Sequence, residues 1–341
     1  MSSPEIPRSE ILFITDAQDC NPNGNPLAED RPRRDPETGQ AIVTDVRLKR
    51  YLREQLLDDG YGVYVKKVDG ESQGRKTLTL DILEEVDSAA DVEEIEGIAE
   101  TFLDRATDVR YFGAALTFES SDDDEDDKLQ NALQGAFPNQ YQGPVQFLPA
   151  KSLNEVEENQ DYDSLTSVIA TGDENRQGGF GLDDHRIVYG IFPFYGLVDE
   201  NSAADTRLSA EDVRRLDTLC WRALKNQPTS RSKLGQAPRL YLRVVYDRGR
   251  YHTGNLHNLV TLSDASDHPL RSISDVVLDV DDLVARLKQD ESRIEEVRFV
   301  GDRRLTLSAG DGTVGADELD EVLAVDTEEI DVYEERDLAT E

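Results

Sequence analysis

Seven cationic side chains fall between residues 31 and 53. They are Arg31, Arg33, Arg34, Arg47, Lys49, Arg50 and Arg53, against only Asp35, Glu37 and Asp45. A second stretch, 222–250, holds Arg222, Lys225, Arg231, Lys233, Arg239, Arg243, Arg248 and Arg250 against Asp247 alone. The two stretches carry +4 and +7 in a chain whose formal net charge is -35. Such islands suit a polyanion track on a surface that otherwise repels anions. The competing reading is that the arginines pair with acids, of which few lie close by in the sequence. Other chemistry has less support. Asp16, Asp19, Asp30 and Asp35 lie in or near the loop that precedes the basic helix, and two carboxylates could hold Mg²⁺ with waters. Asp is common throughout this chain, however, so its presence there says little. His185, His252, His257 and His268 have no zinc spacing with Cys20 and Cys220. No phosphate-binding loop, nucleophile elbow or Ser/His/Asp pattern stands out. No catalytic residue, metal or cofactor is therefore expected.

The elements that must position these cations can be read from periodicity. Glu10 to Asp16 (EILFITD) reads as a strand, followed by a loop of about 27 residues. Thr44 is a good N-cap for the helix VRLKRYLREQLL, whose inner face is Leu48, Leu52, Gln55 and Leu56. Lys49 and Arg53, four apart, share one outer edge, and Arg47 and Arg50, three apart, share another. Residues 58–140 read as an insertion, with a hairpin-like stretch from Tyr61 to Leu83 and a helix around Val92 to Ala106. A strand at Tyr111 to Phe118 and an acidic loop, SDDDEDD, complete it. Gln142 to Leu148 is a second strand of the main fold, and 151–185 is a polar, projecting element. Arg186 to Val198 is a long strand. Ser209 with Asp212 makes a capping box for a helix to Lys225. A loop, NQPTSRSKLGQAP, then leads to the strand RLYLRVVY. Residues 251–341 add short strands and acidic helix, and the end reads as mobile. Without the two insertions, 10–57, 141–150 and 186–250 give strand, helix, strand, strand, helix, strand. That is an α+β, ferredoxin-like βαββαβ order, shared by RNA-recognition domains.

Composition narrows the setting. Asp and Glu total 72, and of the 37 basic residues 28 are Arg and 9 are Lys. Carboxylates spread over the whole chain with little Lys suit molar intracellular salt. There the screening length falls to about 3 Å and self-repulsion fades. The apolar runs are short, so no membrane span is expected. MSSPEIPRSE lacks the regions of a signal peptide, and two cysteines without a CxxC suit a reducing cytoplasm.

The residues also carry a resemblance. NPNGNP (21–26), RPRRDPETG (31–39) and VTDVRLKR (43–50) resemble the N-terminal signature of the Cas-seven family. RYFGAAL (110–116), GPVQF (143–147) with SLN (152–154), and TSRSKLGQAPRLYL (229–242) follow in family order. That family supplies the repeated backbone subunit of type I CRISPR Cascade complexes, and this chain is most similar to subtype I-B. The acidic composition then points to a haloarchaeal member. The resemblance implies a hand: an RRM-like palm, a fingers insertion at 58–140 and a thumb hairpin at 151–185. It implies copies stacked head-to-tail along the CRISPR RNA, with other Cascade subunits and with target DNA read through the guide. It places Arg47, Lys49, Arg50 and Arg53 against guide phosphates, with Lys49 foremost. Asn21, Asn23 and Gly24 would hold a turn whose backbone N–H groups approach phosphate. Gln146, Lys151 and Ser152 at the thumb base, and Arg231, Ser232 and Lys233 before the last palm strand, would follow. Arg47 or Arg50 could instead pair with Asp45 or Glu54. The alternative activity is metal-dependent RNA cleavage by aspartates of the first loop, as in related type III subunits. The family pattern usually has Asp where this chain has Asn25, which removes one candidate.

Overall fold

The computed structural model of the protein describes residues 6–68, 71–159, 164–167, 179–182, 184–226, 233–247 and 250–339. The chain is α+β. Its main sheet is built on β1 (Ser9–Cys20), with helix α1 (Asp45–Asp58), β2 (Val145–Phe147), β3 (Arg186–Val198), helix α2 (Ala210–Lys225) and β4 (Gln236–Tyr246) following in sequence. β1 pairs antiparallel with both β3 and β4, and β2 pairs with β3. The spatial order is therefore β2, β3, β1, β4.

β1 is apolar on both faces because both are covered. Its alternate residues split between two cores, as a period-two element requires. Ile11 and Phe13 face the helices, where Leu48, Leu52 and Leu56 of α1 and Leu216, Leu219 and Leu224 of α2 are buried. Leu12 and Ile14 face the other way, against a layer from the C-terminal part that includes Leu256, Leu278, Leu283 and Leu307. The stretch 251–341 thus supplies most of this second core. It also extends the sheet, with β5 (Ile294–Gly301) antiparallel to β4 and β6 (Thr327–Glu329) parallel to β5.

The chain end, read as mobile, packs down instead. Ile330 and Val332 are buried in the helix-side core. Arg298 binds Glu328 and Glu335, Arg215 binds Asp337, and Ala339 N–H donates to the Asp59 carbonyl at 3.0 Å. Acids that looked like solvated tail are the partners of buried arginines.

The region after α1 has a core of its own, including Leu78, Ile82, Phe102, Leu133 and Phe137. Four expectations fail inside it. Arg75–Leu83 is a helix rather than the second arm of a hairpin; only Lys67–Val68 and Glu71–Ser72 pair. The helix expected around Val92 breaks at Gly97, whose φ is +71°, into Ala89–Glu94 and Ile98–Arg105. Tyr111 and Phe112 end a helix, Thr107–Phe112, and the strand is only Gly113–Ala115. The acidic loop is also helical: Asp123 caps Asp124–Ala136 through the N–H groups of Glu125 and Asp126. Acids in a first turn favour the positive end of the helix dipole.

Candidate nucleic-acid interface

RNA-recognition modules stack bases on an open sheet face. Here both sheet faces are buried, so the candidate cations must act from α1 and the loops beside it. The placement of α1 begins at its cap. Thr44 Oγ1 accepts from Arg47 N–H, and Asn23 Oδ1 accepts from both Thr44 N–H and Thr44 Oγ1 at 2.8 Å. The Asn23 amide donates to the Gly24 carbonyl, and Asn21 donates to the Asp30 carbonyl. Tyr51 Oη donates to the Pro22 carbonyl and accepts from Gln236, which also donates to the Lys233 carbonyl. Gly235, at φ +127°, lets Gln18 N–H reach its carbonyl at 2.9 Å. The first loop, α1 and the 233–235 turn are thereby one rigid assembly.

Asn21, Asn23 and Gly24 have a structural part in this loop. Both asparagines are buried, and their amides hold the loop. The N–H groups of Leu27, Ala28, Asp30, Arg31 and Arg33 donate within the loop. Gly24 is required for space: a Cβ there would lie 2.0 Å from Asp30 Oδ1 and 2.6 Å from the Asp30 carbonyl oxygen. Gly24→Ala is expected to cost about 1–3 kcal/mol, as overpacking does. A thermal melt reads the loss, and an unchanged melting temperature would show the loop to be slack.

The cations of α1 fall on two edges, as their spacing requires. On one edge Arg50 binds Glu54 at 2.8 Å, and Arg47 lies over the Tyr51 ring at 5.7 Å. Lys233 joins this edge, close enough to feel Asp30, Arg47 and Arg50. Its Nζ is buried and, among the described residues, has no hydrogen-bond partner. Burial holds its pKa below the ordinary lysine value; Asp30 opposes the shift, and Arg47 adds to it. On the other edge Lys49 Nζ donates to Gln146 Oε1 at 2.9 Å and sits 3.6 Å from Asp45. Lys49 and Arg53 lie over the Phe112 ring at 5.7 and 5.2 Å. Burial lowers the Lys49 pKa as well.

Other expected contacts are committed elsewhere. Arg53 binds Asp108 at 2.8 Å, and that buried carboxylate also takes the N–H groups of Tyr64 and Val65. Arg53 therefore pins the segment after α1 to that helix. Ser152 is fully buried, and its hydroxyl accepts from Ala41 N–H and donates to the Asn154 carbonyl. Its side chain has no reach to RNA. Lys151 is exposed and paired with Asp35 at 2.7 Å. Arg231 and Ser232 lie outside the described residues, as does much of the 151–185 element.

Three arginines of the second basic island are core. Arg222 binds Asp59, Arg239 binds Asp16 and Asp302, and Arg243 binds Asp217; of these residues all but the half-buried Asp302 are buried. Of that island, Lys233 is the described residue that joins the α1 edge. Asp16 is held by Arg239 at 2.8 Å and Tyr189 Oη at 2.9 Å, and burial raises its pKa. Among the described residues no three His, Cys, Asp or Glu side chains are arranged to hold a metal.

The aromatic platforms escaped the sequence reading. Tyr51 under Arg47 was recoverable, being four residues on in the same helix. Phe112 was not, because it comes from another element.

The chain matches the family model for CRISPR-associated protein Cas7 over residues 7–281. It is 63% identical over 335 residues to a CRISPR-associated protein Cas7 of Haloferax volcanii, covering 97% of this chain and 98% of that one. In fold it is similar to a chain of a CRISPR RNA-guided surveillance complex, pre-nicking, with TM-score 0.50 and 15% identity over 96% of this chain and 98% of that one. A match of this length and identity places the chain in the Cas7 family.

Proposed function

We propose that the chain is the CRISPR RNA-binding backbone subunit of a type I-B Cascade complex. It binds the guide without cleaving it, stacks with copies of itself and with other subunits, and supports target DNA recognition in antiviral defence in the cytoplasm of a halophile. The observation that carries this reading is the assembly of Arg47, Arg50 and Lys233 on one edge of α1, with Lys49 and Gln146 on the other. Cations on two edges of one exposed helix suit a strand of regularly spaced phosphates. The strand order β2, β3, β1, β4 with two helices on one face supports an RRM-like palm. The segment with its own core supports fingers at 58–140, and the pairing of Ser164–Ser167 with Gly179–Leu182 supports a thumb hairpin at 151–185. The close Cas7 relative and the surveillance-complex chain of similar fold support the CRISPR setting. No described helix is long and apolar enough to cross a membrane. Cleavage by the first-loop aspartates is less favoured, since Asp16 is buried and spent on Arg239.

Purification from a host carrying its own CRISPR array, in about 2 M KCl to keep screening near its limit, tests the reading. Bound RNA is expected to be discrete CRISPR RNAs protected at regular spacing. Recovery of partner subunits without RNA would sink it.

A further inference from the structure

Three cations expected to meet phosphate already carry an acid. Lys151 binds Asp35 at 2.7 Å, Lys49 lies 3.6 Å from Asp45, and Arg50 binds Glu54 at 2.8 Å. The pairs come from both edges of α1 and from the Ala150–Glu155 strand. We propose that Asp35, Asp45 and Glu54 are specificity-determining residues: internal anions at phosphate positions that reject polyanions unable to displace all three together. This rests on the RNA-binding reading above.

The accessibility of the pairs supports exchange. Glu54 and Asp45 are 29% and 28% exposed, and Lys151 is 54% exposed. Exposed pairs are worth little singly. A phosphate that makes charge-assisted bonds to the same cation can replace the carboxylate. The Arg53–Asp108 pair is different: Asp108 is fully buried and fixed by two backbone N–H groups, so it does not open. Geometry also keeps the cations aimed after exchange. Gln146 holds Lys49 when Asp45 leaves, and Asp35 stays fixed by Glu37 N–H while Lys151 turns away from it. A single phosphate, or a polyanion with other charge spacing, competes at one pair and leaves the others closed. RNA crossing all three displaces them together.

Exchange also changes the response to salt. Replacing a carboxylate on a cation by a phosphate releases little bound ion, so affinity survives molar KCl better than it would on bare cations.

The test uses full-length wild type and an Asp35→Asn, Asp45→Asn, Glu54→Gln variant. The probes are a single-stranded RNA of about 30 nucleotides, enough for several modules of the usual site size, and heparin. Amides keep the turn and helix shapes while removing the charges. The triple variant is expected to bind RNA about tenfold more tightly, from three pairs of modest worth. Its log affinity against log[KCl] should steepen by about 2, near 0.7 for each of three bared cations. Heparin should gain more than RNA does. No gain for either probe, or equal gains, overturns the proposal. Glu54→Gln alone, which touches only an exposed helix pair, should gain about twofold and covers a misfolded triple variant. A wild type that takes up no RNA overturns the RNA reading, and this one with it. A binding wild type with unchanged variants overturns this one alone.

Discussion

Asp217→Ala is expected to destabilise the protein by about 3–5 kcal/mol, the cost of stripping the partner from a buried charge. Asp217 is fully buried on α2. Its Oδ1 accepts from Tyr241 Oη at 2.8 Å and Arg243 Nε at 2.6 Å; its Oδ2 accepts from Arg243 Nη2 and Arg298 Nε, both at 2.8 Å. Arg243 and Arg298 are direct cross-strand partners on β4 and β5. Like charges facing across a sheet repel, and both of these are buried. One carboxylate reaching down from the helix layer makes that register tolerable. Alanine removes it and leaves two cations facing each other in the core. Asp217→Asn keeps an acceptor without the charge and should fall in between. A loss this large is a sizeable share of the stability of an ordinary domain. Raising KCl should not restore it, since buried pairs are screened little. Denaturant unfolding in about 2 M KCl, where surface charge is screened out, reads the difference. A variant within about 1 kcal/mol of wild type, below the cost of orphaning a buried charge, would mean that Glu328 and Glu335 suffice for Arg298 and that Asp217 is no hub.

The same network explains where sequence reasoning stopped. The main-sheet strands and their two helices were legible because they depend on local signals. Thr44 and Ser209 cap the helices they were expected to cap, and the continuous apolar runs in β1 and β3 mark strands buried on both sides. The second basic island was misread because acids were sought nearby in the chain. Its partners come from positions 59, 16, 302 and 217. Ion pairing is a property of the folded contacts, and no local window holds it. The chain end was misread for the mirror reason: Glu328, Glu335 and Asp337 look like solvated tail until Arg298 and Arg215 are seen to need them.

The site was legible to about the level of the helix. The two cation edges of α1 follow from spacing alone. Which cations remain available does not, because availability depends on what each one already holds. Arg53 and Ser152 are already engaged by Asp108 and Ala41, contributed by other segments. Lys233 rises in importance for the same reason, as a buried ammonium left without a hydrogen-bond acceptor among the described residues.

Lys233→Ala is expected to weaken RNA binding by about ten- to a hundredfold, the worth of one hydrogen bond to a charged group. A buried cation without an acceptor is costly in the free protein, and a phosphate would supply what is missing. The effect should persist in molar KCl, since a desolvated contact is screened less than an exposed one. Lys225→Ala is the control: it lies in the same basic island but over the Tyr333 ring, with no part in the α1 edge, and should bind as wild type does. The pH dependence has a definite sign. Burial lowers the Lys233 pKa below 10.5, so between the lowered and ordinary values the unfolded chain holds the proton more than the folded one. Stability in the free protein therefore rises with pH across that window. RNA reverses the preference, because phosphate favours the ammonium. Binding then takes up a proton, and affinity falls as pH rises through the lowered pKa, in the window just below the ordinary lysine value. Lys49 is lowered by burial too and shares the dependence. Lys233→Arg should flatten part of the profile and Lys49→Arg/Lys233→Arg the rest, because Arg stays charged throughout. A wild-type affinity that does not change across this window, together with a harmless Lys233→Ala, would show that the buried ammonium serves the fold and that the guide lies elsewhere on the helix.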